Sequence, residues 1–331
     1  MKLSWLKLVV AAALISSSLS AQTAVIEKIR KNPKAPFSYA ELSVKEGGKW
    51  EGNKYIGGTF KNIHELVLPA GHTDHSYYIR YEGIGLENNQ IGYRLYLDWR
   101  NATDIFGKKV NTLVLPEVGQ DGFESYHNDA SWGQDILNSG RTIGIGSYGR
   151  YDEQNDFVET FKMVKSTTAK VANETDRSYA TINYKGWKTW GDAVDLRSKL
   201  TIFNKDRFVK VDLSLSTALS GLCTGIVAIK DIPLKQGISK NKKWAYIATY
   251  GQQTLAKKDD NLGMAVFYPV ESFEKYVKTK STHAVVFKKT QNVSYYFLAA
   301  WSREPNGLTT EEAFYQDLEK KLDMLDKNDQ L

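Results

Sequence analysis

The sequence predicts a mostly β protein, a large antiparallel β-sandwich with one helix near its C-terminus. Hydrophobic residues recur with a period of two along most of the chain, which is the spacing of strands that bury one face. No helical segments alternate with these strands, so a parallel α/β sheet is not expected. The 331 residues contain no internal repeat and no proline-rich linker, so we expect a single domain.

The clearest alternation lies in residues 208–216, where Val209, Val211 and Leu213 alternate with polar side chains. Residues 200–203 precede this run across the turn 204–206, so the two segments are predicted to form a hairpin. Seven further runs have the composition of strands: Ser76–Tyr81, Ile91–Trp99, Tyr179–Tyr184, Trp244–Tyr250, Met264–Val270, His283–Lys288 and Val293–Trp301. The polar stretches 119–131 and 235–243 are predicted to be loops at the rims of the sandwich.

Helical spacing is convincing only near the C-terminus. Thr309 is predicted to be the N-cap, and Glu312 follows three residues later, which is the spacing of a capping box. We expect this helix to pack across a sheet with one apolar face, formed by Phe314, Leu318, Leu322 and Leu325.

Residues 1–21 have the three parts of a secretory signal peptide. Lys2 and Lys7 give a basic start, residues 8–15 form an apolar run, and residues 16–21 are mostly small. The apolar run is shorter than a membrane span, and the only cysteine, Cys223, is far from the cleavage region, so no membrane anchor and no lipid anchor is expected. We therefore predict cleavage after Ala21, export, and one catalytic domain of residues 22–331.

Charge and composition limit the partners of the exported domain. The formal net charge of +6 falls to +4 without Lys2 and Lys7 and is not gathered into basic runs, so a nucleic-acid partner is not expected. Aromatic residues make up 12% of the chain, and their rings suit the faces of sugars as well as the interiors of sheets. Cys223 has no basic or helix-end setting nearby and is predicted to be a buried apolar residue rather than a nucleophile.

Residues 91–100 are predicted to form a strand with two distinct faces. One face is apolar, and the other carries Arg94, Tyr96, Asp98 and Arg100. Two interpretations of the polar face stay open: a solvent-exposed surface, or a concave ligand face whose arginines bind a carboxylate and whose aspartate accepts sugar hydroxyls. The preceding residues 81–88 hold two carboxylates among glycines that we interpret as bends at the entrance of the strand.

A second candidate cluster surrounds His127. Its neighbours Tyr126, Asn128 and Asp129 are expected to orient the imidazole for proton transfer, and a surface-loop histidine is the alternative. The glycine-rich residues 140–146 are interpreted as backbone bends, since no strand-turn-helix context supports a dinucleotide site.

The segment His72-Thr73-Asp74-His75 has two metal-binding side chains three residues apart. Zinc signatures need a third ligand at recognisable spacing, which the sequence lacks, so no metal or other cofactor is expected. No Gly-x-Ser-x-Gly motif is present either, so an esterase of the α/β-hydrolase class would have no nucleophile.

Two blocks of the sequence carry a family resemblance. The first comprises Tyr81-Glu82-Gly83-Ile84-Gly85-Leu86-Glu87-Asn88, Tyr93-Arg94-Leu95-Tyr96-Leu97-Asp98-Trp99-Arg100-Asn101 and Asp104-Ile105-Phe106-Gly107-Lys108; the second comprises Trp132-Gly133-Gln134-Asp135-Ile136-Leu137, Gly140 and Gly144-Ile145-Gly146. Both blocks resemble the bacterial family grouped as domain-of-unknown-function 4861. The resemblance implies the large β-sandwich of polysaccharide lyases and galactose mutarotases, and a role in degrading uronate-containing polysaccharides.

A member of that family from a marine bacterium that degrades ulvan looks like an oligosaccharide dehydratase. Such an enzyme removes water from a terminal uronic acid and leaves a C4=C5 double bond. The resemblance therefore implies a carbon–oxygen lyase of the hydro-lyase type, located in the periplasm, with secretion as the alternative. The expected partner is a uronate-containing oligosaccharide.

On this hypothesis, an arginine neutralises the substrate carboxylate while histidine or tyrosine side chains move the protons. The predicted catalytic residues are His127, Arg94, Tyr96 and His75. The predicted substrate-binding residues are Glu87, Asp98, Arg100, Trp132, Asp135 and Tyr148. Three alternatives stay open: a polysaccharide lyase that cleaves by β-elimination, a glycosidase that uses Glu82, Glu87 or Asp98, and a carbohydrate-binding protein without catalysis.

Overall fold

A computed structural model of the chain describes residues 22–123, 125–256 and 259–331. The predicted signal peptide lies outside the described residues. The described chain is mostly β, as the sequence predicts, with one long helix near the C-terminus. None of its described helices is both long and apolar enough to cross a membrane.

Two α-helices, three short 3-10 helices and twenty-two strands form the described structure. Helix α1 covers residues 22–31, and helix α2 covers Glu311–Asn328. The strands in chain order are β1 Ser38–Glu46, β2 Lys49–Glu51, β3 Lys54–Ile56, β4 Thr59–Ile63, β5 Glu65–Val67, β6 Ile79–Asn88, β7 Ile91–Tyr96, β8 Thr103–Lys108, β9 Gly133–Asp135, β10 Ile145–Asp152, β11 Phe157–Glu159, β12 Ser166–Asn173, β13 Arg177–Thr189, β14 Asp192–Phe203, β15 Val209–Leu219, β16 Leu222–Val227, β17 Leu234–Ile238, β18 Trp244–Gly251, β19 Leu262–Pro269, β20 Phe273–Lys278, β21 Thr282–Phe287 and β22 Thr290–Trp301.

Three large antiparallel sheets build two layers. The first layer is a nine-stranded sheet with the order β17-β18-β19-β22-β15-β14-β13-β12-β5. The second layer places a six-stranded sheet, β4-β1-β6-β7-β8-β9, beside a five-stranded sheet, β11-β10-β16-β21-β20. Strand β1 contacts β12 and β13, and β10 contacts β19 and β22, so both smaller sheets pack on the nine-stranded one. This arrangement is a β-sandwich, and a parallel bridge between Thr103 and Gly144 joins the two smaller sheets.

The interior of the sandwich is built from the period-two pattern of the sequence. In β15, Val209, Val211 and Leu213 are buried, and the predicted hairpin with β14 is confirmed by the pairing of Ile202 with Val209. Each such side chain contributes roughly 1.5–3 kcal/mol by leaving water. Cys223 lies in β16 of the five-stranded sheet and is fully buried. Burial raises the pKa of its thiol to about 12, as expected for an inert apolar residue.

Helix α2 covers the outer face of the nine-stranded sheet. Its predicted apolar face is buried against β18, β19 and β22, which confirms that the helix packs across a sheet. The N-cap is Thr310 rather than Thr309, because the Thr310 hydroxyl accepts a hydrogen bond from the Ala313 backbone at 3.1 Å.

Residues 81–88 are the main error of the sequence prediction. They belong to β6, a ten-residue strand that is buried along its whole length, and are not bends at a strand entrance. Gly83 serves close packing instead: a Cβ atom there would lie 1.9 Å from the Leu95 carbonyl oxygen on β7. The predicted strand Ser76–Tyr81 overlaps only the first residues of β6, and the predicted loop 235–243 contains most of the edge strand β17.

The outer face of the six-stranded sheet is covered by chain rather than by solvent. Helix α1 and residues 110–123 and 125–132 pack on it through a separate apolar cluster that includes Tyr39, Tyr81, Phe106, Leu115 and Tyr126. Polar side chains of β6, β7 and β8 are therefore enclosed between the sheet and this cover. The candidate functional site lies at the rim of that enclosed layer.

Candidate functional site

Strand β7 supplies the first part of the site. Its residues alternate as predicted, with Tyr93 and Leu95 in the sandwich core and Arg94 and Tyr96 on the outer face. Both faces are nevertheless buried, so the interpretation of the polar face as a solvent-exposed surface is wrong. The cover formed by residues 110–123 and 125–132 explains this burial, and an alternating pattern cannot reveal a cover from a distant segment.

Arg94 is the centre of the enclosed layer. Its guanidinium donates to Asp104 at 2.5 Å and to Asp135 at 2.7 Å, and it lies 4.5 Å from the centre of the Tyr96 ring. The side chain is only 1% exposed. Arg94 therefore holds two carboxylates of the protein in place, and the expected direct contact with a substrate carboxylate does not fit its position.

Asp104 and Tyr96 complete this layer. Burial and the neighbouring Asp135 raise the pKa of Asp104 to about 7, although Arg94 opposes the shift. The Tyr96 hydroxyl donates to Asp104 at 3.1 Å, and burial also raises the pKa of Tyr96. Tyr96 is thus a neutral hydrogen-bond donor that points into the protein.

Arg100 forms a second cationic centre just after β7. It bonds both oxygens of Asp98, and its guanidinium lies 3.1 Å from Glu82 and 3.0 Å from Asp74. The same group stacks 4.0 Å from the centre of the Tyr96 ring, which connects it to the Arg94 layer. Asp98 is consequently occupied by Arg100 and does not offer its carboxylate to a ligand.

His75 lies at the protein surface, beside two of the carboxylates that Arg100 contacts. Its Nδ1 donates to Asp74 at 2.5 Å, and its backbone N–H donates to buried Glu82 at 2.7 Å. The side chain is 51% exposed, so one edge of the ring is open to solvent. His75 and Glu82 both have a positive φ, 57° and 63°, a backbone conformation that costs about 1–3 kcal/mol per non-glycine residue and is concentrated at functional sites.

His127 lies at the surface of the Arg94 layer, in a short helical turn of Ser125–His127. Its Nδ1 is 3.4 Å from the buried Asp135 carboxylate, and its side chain is 37% exposed. Asp135 is therefore the acid that faces the imidazole, whereas the predicted Asp129 pairs with Lys109 and Arg303. Of the expected neighbours, Tyr126 does contact the ring, at 4.5 Å between centres.

Phe123 lies between His75 and His127 and contacts both rings. Its ring centre is 4.8 Å from that of His75 and 5.9 Å from that of His127. Residues that are far apart in sequence thus place two partly exposed imidazoles against one aromatic ring. Each imidazole has a carboxylate at its Nδ1, so Nε2 is the nitrogen left to exchange protons with a ligand.

Two cavities are lined by sequence neighbours or ring contacts of His75. One has a volume of about 480 Å³, and its lining includes Tyr77 and Phe123, which contact His75. The other has a volume of about 520 Å³, and its lining includes Thr73 and Asp98. Both volumes are in the range of small-molecule sites.

Three of the predicted substrate-binding residues lie apart from the histidine pair. Glu87 is fully buried and is bonded by Lys108 and by the backbone of Val114 and Leu115. Tyr148 lies inside the sandwich, where its hydroxyl donates to Ser198. Trp132 packs beside Phe106, with 6.1 Å between ring centres. Burial of Glu87 and Tyr148 gives both residues a structural role.

The structure places three possible metal ligands together. Donor atoms of Asp74, His75 and Glu82 all lie within 4.8 Å of one another. Arg100 already bonds both carboxylates, so its guanidinium takes the position that a cation would need. The predicted partner His72 points elsewhere: its Nε2 donates to the Leu97 carbonyl oxygen at 3.1 Å, and burial lowers the pKa of its imidazole.

Asp104 and Phe123 are the residues that sequence reasoning missed. Asp104 faces Arg94 directly across the β7–β8 pair, and opposite charges at matching positions of adjacent strands were a usable signal. Phe123 lies in a loop without periodicity, and nothing in its sequence neighbourhood indicates that it separates two histidines.

Comparison with known proteins gives one result at the level of the whole chain. A search of curated proteins finds no match. The profile of the family described as "Domain of unknown function (DUF4861)" matches residues 5–328. This match covers both sequence blocks and every residue of the candidate site. The chain therefore belongs to the DUF4861 family.

Proposed function

We propose that the protein is a dehydratase that eliminates water from a terminal uronic acid of ulvan-type oligosaccharides. The observation that supports this chemistry is the pair of partly exposed histidines on Phe123, each with a carboxylate at its Nδ1. Histidine–carboxylate pairs are proton-transfer groups near neutral pH. An elimination needs one group that removes a proton and another that protonates the leaving hydroxyl.

In the proposed reaction, neutral His127 takes the C5 proton of the uronic acid through Nε2. The electron pair of that C–H bond forms the C4=C5 double bond, and the C4–O bond breaks with its electrons on oxygen. His75 donates a proton to that oxygen, so water leaves. The Asp135 carboxylate faces Nδ1 of His127, and those of Asp74 and Glu82 face Nδ1 of His75, so each ring keeps its Nε2 for the proton transfer.

The charge of the site assigns a further task to His75. Arg94 and Arg100 together bond five carboxylates, Asp74, Glu82, Asp98, Asp104 and Asp135. Neither arginine is therefore a free cation for the uronate carboxylate. The His75 side chain is 51% exposed, so we assign both tasks to its protonated form: it offsets the substrate charge and then supplies the proton.

A lyase that cleaves a uronate glycosidic bond would use the same two histidines, with a sugar instead of water as the leaving group. A glycosidase is less well supported, because Glu82 and Asp98 are engaged by Arg100 and Glu87 by Lys108.

Mass spectrometry of purified protein with uronate-terminated oligosaccharides separates these functions. Loss of one water supports the dehydratase, and chain cleavage with an unsaturated product supports the lyase. Saturated products indicate a glycosidase, and binding without turnover indicates a carbohydrate-binding protein.

The proposed location is the periplasm, with secretion as the alternative. The support is the signal-peptide pattern of residues 1–21. Fractionation of cells that produce the full chain tests this proposal, and recovery of uncleaved protein from the cytoplasm would contradict it.

A further inference from the structure

We infer that the 520 Å³ cavity beside the histidine pair binds an anionic sugar unit of the oligosaccharide, through its carboxylate or sulfate group. We call this space the Trp99 cavity, and its lining includes Trp99, Thr73, Asp98, Lys162 and Lys165. The inference rests on the proposed class of substrate and names a binding site that the proposed mechanism does not use.

The Trp99 cavity adjoins the reacting groups. Thr73 immediately precedes Asp74, the carboxylate that holds His75. Asp98, on another part of the wall, is bonded to Arg100, which in turn contacts Asp74. The wall of the cavity therefore continues at Thr73 into the segment that carries Asp74 and His75.

The cavity is positively charged, in contrast to the acidic histidine cluster. Lys162 and Lys165 are exposed, and among the described residues no carboxylate oxygen lies within 4.0 Å of either ammonium group. The only acidic residue in its lining is Asp98, whose carboxylate is already bonded on both oxygens by Arg100. Lys162 and Lys165 thus offer two positive charges to an anionic ligand, and the charge of Lys165 also acts on the nearby Asp195 carboxylate.

The remaining lining suits a sugar. The Lys162 ammonium is 5.2 Å from the centre of the Trp99 ring, so an aromatic face and a cation border the same space. Indole faces bind the apolar C–H faces of sugars, and hydroxyls of Ser166 and Thr167 supply hydrogen-bond partners. An ammonium group binds a carboxylate or a sulfate without requiring a fixed geometry.

The test measures binding by calorimetry, separately from turnover. The probes are a uronate-terminated disaccharide with a sulfate ester on its second sugar, and its desulfated counterpart. We expect Lys162→Gln/Lys165→Gln to weaken binding of at least one probe by about 30-fold, since two solvent-accessible charge contacts of about 1 kcal/mol each are lost. The dependence of the affinity on ionic strength is expected to fall as well. A loss for both probes assigns the lysines to the carboxylate, and a loss for the sulfated probe alone assigns them to the sulfate.

The control is Lys205→Gln, which removes one lysine charge beyond Phe203, at the far end of β14 from the cavity, and is compared with each single lysine variant as well as with the double variant. Thermal unfolding checks that all variants are folded. Unchanged affinity of the double variant for both probes, or no binding of either probe to the wild type, overturns the inference. If binding depends on the lysines but no water is lost from the probes, the proposed dehydratase fails while the binding site stands. If water is lost from the probes and the double variant binds them normally, the binding site fails while the proposed dehydratase stands.

Discussion

Asp135 contacts both the buried Arg94 and the partly exposed His127. Asp135→Asn tests the contact with His127, because the contact between Arg94 and Asp104 is kept. Asparagine keeps the size of the side chain and removes its charge. Arg94 retains Asp104 as a partner at 2.5 Å, so we expect the variant to fold. What it loses is the carboxylate 3.4 Å from the His127 Nδ1.

The size of the effect follows from that distance. Two unit charges about 4 Å apart near a protein surface interact by roughly 4 kcal/mol. Because the His127 side chain is 37% exposed, we discount this by about half, to roughly 2 kcal/mol. If His127 becomes an imidazolium in the transition state, Asp135→Asn should lower kcat by about 30-fold.

The assay is the rate of water loss from a uronate-terminated oligosaccharide, followed by mass spectrometry. Asp135→Asn should lower kcat by this factor and leave KM nearly unchanged, because the carboxylate contacts the imidazole and not the substrate. In a His127→Gln background, Asp135→Asn should have little further effect, because the carboxylate acts through the imidazole.

Asp129→Asn is the matched control, since it removes a carboxylate two residues from His127 that pairs with Lys109 and Arg303 instead. It should retain most of the activity. A wild-type kcat for Asp135→Asn, or an equal loss for Asp129→Asn, would refute the assignment of Asp135 to His127.

Three further predictions concern stability, measured by urea unfolding. Arg94→Ala should lower the free energy of unfolding by about 3–5 kcal/mol, because it leaves Asp104 and Asp135 buried without their cation; unchanged stability would contradict a buried role for Arg94. The pKa of Asp104 is raised from 3.8 to about 7, so its protonated form favours the folded state. This contribution to the free energy of unfolding should be lost as pH rises from about 4 to 7. Asp104→Asn should reduce the pH dependence of stability, and an identical pH profile would refute the shift. Leu322→Ala on α2 should cost about 2–5 kcal/mol, since the side chain is buried against the nine-stranded sheet, whereas exposed Met324→Ala on the same helix should cost much less; equal losses would contradict the observed orientation of the helix.

The success and the failure of the fold prediction have the same cause. Alternation in residues 208–216 identifies β15 because side chains of a half-buried strand repeat every two residues. Residues 81–88 do not alternate between apolar and polar side chains, because β6 is buried on both faces. Glycines and carboxylates therefore stand in a strand that the alternation does not identify. Gly83 signals a close neighbour, Leu95, and not a bend.

The site shows a similar division. Residue type alone selected His75, His127, Arg94, Arg100 and Asp135 as candidates, and the structure brings these residues to one region. Their partners were assigned less well, since Asp135 and not Asp129 faces His127. Sequence proximity favoured Asp129, but β9 carries Asp135 back beside Arg94 through pairing with β8.

By itself, the sequence determined the class of the fold, the position and buried face of the C-terminal helix, the burial of Cys223, and the family blocks that contain most of the site. These properties follow from local periodicity and residue type, which any short stretch of chain expresses. Only the tertiary structure decided that the polar face of β7 is covered, that both arginines are held by protein carboxylates, and that Phe123 separates two histidines. The physical reason is that burial and charge pairing depend on which distant segments pack together, and a one-dimensional pattern does not contain those distances.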